Sequence, residues 1–411
     1  MKRVFLDHLS GSPPYAAVVE EMAPFLAGEC GSPSSVHSMG LRARRAMDAA
    51  RERVAGLVGA QRPDEIIFTS GGTEAANLAV KGVAVAGGRG PGHIVSTVAE
   101  HPAVAESLHW LEGRGHRVTR VGIDALGRVD PAAVADAMTD QTFLVAIHIV
   151  QHDIGTIQRV AEIGKEVRNS RAVFFCDGAW AAGWMPLDVR DLDCDLLSLS
   201  PMRFGGPRGC GALYRRRGVS LEPLVHGGVQ EGGLRAGGEN VAAIVGAGRA
   251  AVEAAADFGE RVTRARGLQE RLARGIAAGI PATALNGSPP GEGRVPNSLS
   301  FSMACVEAEA LALACDLKGL IVGASTSCVS RDMKLSQALL AMGQPEALAA
   351  GHLLVGFGRD STVDDVDHAI GVLARVAERL RSMSPSWEDM VEGRGDPAVA
   401  EWLKRSSRAS R

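Results

Sequence analysis

The chain has 411 residues, 46% of them hydrophobic and 22% charged, with a formal net charge of -3. That composition excludes an intrinsically disordered chain, and the lack of a long basic run leaves no electrostatic footprint for nucleic acid. Met1–Asp7 carries no apolar signal region and no run of about 18 apolar residues escapes a charge, so neither a membrane span nor export is expected, and the cytoplasm is the expected location.

In chain order, Glu65–Thr69 reads as an apolar strand, followed by a Gly-Gly turn and a helix from Thr73 to about Val83. His93–Thr97 and Phe143–Ile147 read as buried strands, as does Ala172–Cys176, which leads directly into Asp177. Strands alternating with helical patterns predict an α/β fold whose mainly parallel sheet is covered on both faces. An Ala/Arg/Glu-rich pattern from about 253 to 280 predicts a long connecting helix, and Pro289–Gly293 a loop. Beyond it come a strand at Asn297–Phe301, a helix at Glu307–Leu317 and a last helix from Val363 to about Leu380. Residues 384–411 show little periodicity and are expected to form a peripheral tail.

Two segments carry candidate chemistry. In Thr69-Ser70-Gly71-Gly72-Thr73-Glu74, glycines let the backbone approach an anion and the following helix N-terminus offers N–H groups to it. Taken alone, the same turn serves equally well as a plain helix start capped by Thr73. Asp177 stands at the exit of an apolar strand, where open parallel sheets bind ligands, although an acidic cap fits that position too. The seven cysteines are dispersed singles without C-x-x-C spacing, which reads as reduced thiols rather than a disulfide framework or a metal site. The lysines are few: Lys2, Lys81, Lys165, Lys318, Lys334 and Lys404.

With their neighbours, these segments resemble the cysteine desulfurases, class V aminotransferases among the fold type I pyridoxal-phosphate enzymes, over about residues 4 to 380. The resemblance also rests on Ser32-Pro33-Ser34-Ser35-Val36-His37, Glu100-His101-Pro102-Ala103-Val104 and Ile154-Gly155-Thr156-Ile157-Gln158. It continues through Gly209–Tyr214, His226–Glu231 and Glu239-Asn240-Val241. It implies a large cofactor-type domain over 15–255 with a seven-stranded sheet and a small α+β domain from 1–14 and 256–383. It also implies a homodimer acting on a small-molecule substrate, with sites near the subunit interface.

Residue by residue, His101 answers to the histidine that stacks on the cofactor ring and moves protons, and Asp177 to the aspartate on the pyridine nitrogen. Gly72, Thr73 and Ser200 answer to the phosphate site, and Cys328 to the cysteine that takes sulfur as a persulfide. Six positions depart from the family pattern. The family's Ser-Gly-His-Lys reads Ser200-Pro201-Met202-Arg203, so arginine stands where the Schiff-base lysine belongs and Met202 replaces a cofactor-contacting histidine. Gly238 replaces a phosphate-contacting threonine, and His152 and Trp180 replace an asparagine and a glutamine at the ring hydroxyl. Leu354 replaces the arginine that clamps the substrate carboxylate.

A guanidinium stays protonated at any ordinary pH, so Arg203 cannot form the lysine–cofactor link, and none of the six lysines lies in a segment that answers to it. Three readings follow. The first is a repurposed enzyme working through His101, His152, Arg203 and Cys328, with pyridoxal or pyridoxamine phosphate held non-covalently or with no cofactor. The second is a cysteine desulfurase delivering persulfide sulfur from Cys328. The third is a non-catalytic partner of a sulfur carrier or of a true desulfurase subunit.

Overall fold

The computed structural model describes residues 2–88, 90–324 and 335–409. A seven-stranded sheet is built from β2 (Ile66–Thr69), β3 (His93–Thr97), β4 (Arg117–Val121), β5 (Thr142–His148), β6 (Val173–Asp177), β7 (Leu196–Leu199) and β8 (Gly211–Arg215). Its order is β2-β8-β7-β6-β5-β3-β4. Only the two ladders made by β8 are antiparallel, so the expected α/β class and mainly parallel sheet are borne out. Period-two geometry sends alternate side chains to opposite faces. Leu144 and Ala146 enter one core with Ile94 and Phe175, while Val145 and Ile147 enter the other with Phe174.

One face is covered by α3 (Gly72–Val85) and α4 (Pro102–Glu112). The other carries α1 (Ala16–Ala27), α2 (Ser38–Leu57), α6 (Val160–Arg168) and α7 (Val241–Ala256), with α5 (Pro131–Ala137) beside α6. A five-stranded sheet, ordered β1-β11-β12-β10-β9, joins the chain's start to its second half. Its strands are β1 (Val4–Leu6), β9 (Thr283–Leu285), β10 (Ser298–Met303), β11 (Leu320–Ala324) and β12 (His352–Gly356). Against it pack α8 (Phe258–Gly279), α9 (Ala308–Asp316) and α12 (Val363–Arg381), with the short α10 (Gln337–Ala341) and α11 (Glu346–Ala349) at its margin.

Two element expectations are corrected. The long pattern near 253–280 is two helices, α7 and α8, broken at Asp257. The buried Arg261 explains the break: it pairs with Asp257 and donates to the carbonyls of Gly183 (2.5 Å) and Ala254 (2.7 Å), holding the α7 terminus in a bend. The helix at 363–381 is also not the last. Residues beyond 384, which show little periodicity in the sequence, form α13 (Pro385–Val391) and α14 (Pro397–Ala409). Proline opens each of them, a position where its missing N–H is harmless, and Val399, Trp402 and Leu403 pack against Ala284, Ala304 and Leu348. Among the described residues, no helix is long and apolar enough to cross a membrane.

Candidate active site

The site lies at the carboxyl ends of the central strands, where the parallel topology opens a crevice. From β2 the chain turns through Ser70 and Gly71 into α3, whose first residues have no side-chain cap, leaving the N-terminal N–H groups to an anion. Close packing explains the glycines. A Cβ on Gly211 would stand 2.2 Å from the Gly71 carbonyl carbon, and one on Gly72 would stand 3.2 Å from the Ser200 Cβ. Thr73 and Ser200 therefore frame the same cradle, Ser200 arriving from the end of β7.

Asp177 closes β6 and is buried; its Oδ1 accepts from the Ser198 hydroxyl (2.7 Å) and the Ala179 N–H (3.0 Å). His101 precedes Pro102 as the N-cap of α4, its Nδ1 accepting the Ala103 N–H at 3.1 Å. Burial, then the neighbouring His152, pushes the His101 imidazole down to about 3. The two imidazoles meet edge to face at 5.0 Å, and His152 lies 6.0 Å from the Trp180 ring. His152 is also held below the usual imidazole range, first by burial.

Arg203 ends the short 3₁₀ turn Pro201–Arg203 and lays its guanidinium over the Trp180 ring, 3.4 Å from the centroid. The Trp184 indole N–H donates to the Arg203 carbonyl at 3.1 Å, fixing the turn. The amino-terminal segment folds over it, the Ser12 N–H donating to the Met202 carbonyl at 2.9 Å. That brings in Asp7, whose carboxyl is raised by burial against the opposing pull of Ser10 and Arg203.

Of the residues singled out in the sequence, Gly72, Thr73, His101, Asp177, Trp180, Ser200, Met202 and Arg203 line one cavity of about 630 Å³. His152 stands against its wall, behind His101 and Trp180. Gly238 lines an adjoining cavity of about 200 Å³ that shares Ser70, Gly209 and Cys210. Leu354 is buried in β12 opposite Ser300. Cys328 lies outside the described residues. Among the described residues no cluster of three or more His, Cys, Asp or Glu is placed to hold a metal.

The sequence reading missed Lys81. It follows Thr73 and Asn77 at helical i+4 spacing, so all three share the α3 face that lines the cavity. Its ammonium donates to Asn77 Oδ1 at 2.7 Å and sits 5.0 Å from the Trp110 ring of α4, which lines the same cavity. The spacing was legible in the sequence; the neighbouring α4 was not.

This donor set fits two parts of pyridoxal phosphate: the uncapped α3 terminus with Thr73 and Ser200 suits its phosphate, and buried Asp177 suits a protonated pyridine nitrogen. Residue 203 supplies no primary amine.

A mainly parallel sheet with an anion cradle, a strand-end aspartate and a helix-capping histidine around one cavity defines a class V aminotransferase-type site, and the aminotransferase class-V family matches residues 4–368. "Cysteine desulfurase IscS" of Clostridium botulinum is 38% identical over 393 residues, covering 96% of this chain and 99% of that protein. The protein of the same name from Methanosarcina thermophila is 40% identical over 384 residues, 93% of this chain and 94% of its own. A solved "NifS-like protein" superposes with a TM-score of 0.84 at 32% identity, covering 92% of this chain and 99% of its own, and shares the fold type I architecture. The chain belongs to the cysteine desulfurase family of class V aminotransferases.

Proposed function

We propose that this protein is an enzyme built on the desulfurase fold with a rewritten pocket, holding pyridoxal or pyridoxamine phosphate without a covalent lysine link. The observation that carries the reading is Arg203, a permanent cation stacked on Trp180 in the cavity that also holds His101 and Asp177. When bound, the pyridine ring supplies an electron sink for bond changes at a substrate carbon. The chain's own work is then positional. The α3 terminus, Thr73 and Ser200 grip the phosphate; Asp177, oriented by Ser198, keeps the proton on the ring nitrogen; His101 covers the ring; Arg203 binds an anionic group of cofactor or substrate. Cys328 would act on the substrate from outside the described residues. The family reading further carries a homodimer, a cytoplasmic location and a protein acceptor of sulfur, and light scattering of the purified protein tests the first of these.

The deciding measurement is absorbance and equilibrium dialysis of the purified protein with each compound, with and without borohydride. Saturable binding without a reducible protein adduct is expected. A stoichiometric reducible adduct in the wild type overturns the non-covalent reading, and failure of both compounds to bind overturns the cofactor reading. A second reading, a working cysteine desulfurase, is favoured by the 38–40% identity to the two proteins of that name. Against it stand Arg203 and Leu354. Cofactor-dependent sulfide release from L-cysteine would establish it.

A further inference from the structure

The amide of Gln151 is buried and its orientation is fixed by its partners. Its Oε1 accepts two backbone N–H groups, from Asp153 at 2.7 Å and Ile154 at 3.0 Å. Its Nε2 therefore faces the Ala99 carbonyl at 3.1 Å and His152 Nδ1 at 3.2 Å, and must donate to both. A nitrogen that receives an N–H carries no proton of its own. Flipping the amide would set its oxygen against a carbonyl and its NH2 against two N–H groups, losing buried hydrogen bonds. His152 Nε2 then bears the proton, 3.7 Å from Asp153 Oδ2, beyond hydrogen-bond length. That oxygen already accepts the Ser336 hydroxyl at 2.6 Å.

We propose that Gln151 is a positioning residue that locks His152 in the neutral Nε2–H form, so that this imidazole can donate a hydrogen bond from Nε2 but cannot take up a proton at Nδ1. Nδ1 of His101 is likewise occupied, by the Ala103 N–H, so neither imidazole takes up a proton there. The charged and titratable groups around His152 are His101, His148, Asp153, Asp177, Arg203 and His352.

The test is nitrogen-15 NMR of histidine-labelled protein, with the His152 signal identified by its loss in His152→Asn. In the wild type, His152 should show a protonated Nε2 and a bare Nδ1 without titrating between pH 8 and 5.5. Gln151→Glu offers Nδ1 an acceptor, and should raise the protonation midpoint by at least one pH unit. A proton on wild-type Nδ1, or a midpoint near the ordinary 6.5, overturns the lock.

Discussion

Residue 203 decides which chemistry the pocket can support, because no pH that the fold survives converts its guanidinium into an amine nucleophile. Arg203→Lys should therefore gain a borohydride-reducible pyridoxal-phosphate adduct at position 203, found by peptide mass spectrometry. Sulfide release should nevertheless stay at least tenfold below that of Arg203→Lys/Leu354→Arg, since a charge-assisted clamp on the substrate carboxylate contributes about 1.5–3 kcal/mol. Equal rates for the two variants would show that position 354 does not hold the substrate. At this scale the sequence was readable wherever a role sits inside a short motif: Gly72, Thr73, His101, Asp177, Ser200 and Arg203 all meet in one cavity. Lys81 escaped because its membership depends on a helix pair. The tautomer of His152 escaped because it depends on which way a neighbouring amide points.

Elements were legible to the extent that their periodicity is local. Apolar runs such as Thr142–His148 and Val173–Asp177 are buried along nearly their whole length, and their type follows from composition alone. The α7–α8 break did not, because it is made by Arg261 reaching across to the Gly183 carbonyl 78 positions away. Arg261→Ala strands two carbonyls and weakens the hold on Asp257, which keeps Arg359 at 2.9 Å. A loss of roughly 3 kcal/mol is expected, visible as a lower midpoint in urea unfolding; a midpoint equal to the wild type's would refute this account of the bend. The carboxy-terminal helices were signalled only by Pro385, Pro397 and Asp396, whose carboxylate accepts the Ala398 N–H at 2.8 Å. Trp402 packs on Met342 and Leu339 of the α10 region. Trp402→Ala should lower stability by about 2 kcal/mol, less than for a fully enclosed indole, and a thermal-shift assay measures it.

At the scale of the whole molecule, the turn that carries His152 is tied to the loop leading into β10. Two residues that follow His152 are held there, the Val295 N–H donating to the Gly155 carbonyl at 3.0 Å and the Ile157 N–H to the Gly293 carbonyl at 3.0 Å. Burial also leaves several imidazoles neutral: His8 at about 4, His101 at about 3, and His352 lowered as well. The sign follows from the folded values lying below the unfolded one. Between about pH 6.5 and these folded values the unfolded chain binds more protons, so stability is present above that window and is lost as pH falls through it. Each such group steepens the loss by up to about 1.4 kcal/mol per pH unit. Unfolding midpoints measured from pH 7 to pH 4 should fall progressively, and His101→Gln should flatten that fall.

The guanidinium resting on Trp180 gives this protein a built-in optical reporter. A charge lying flat on an indole alters its emission, and a ligand that draws Arg203 away changes that signal without undergoing any reaction. Of the five tryptophans, Trp180→Phe identifies the responsive one by removing the change. Compounds that occupy this pocket can thus be found by fluorescence titration before the reaction is known.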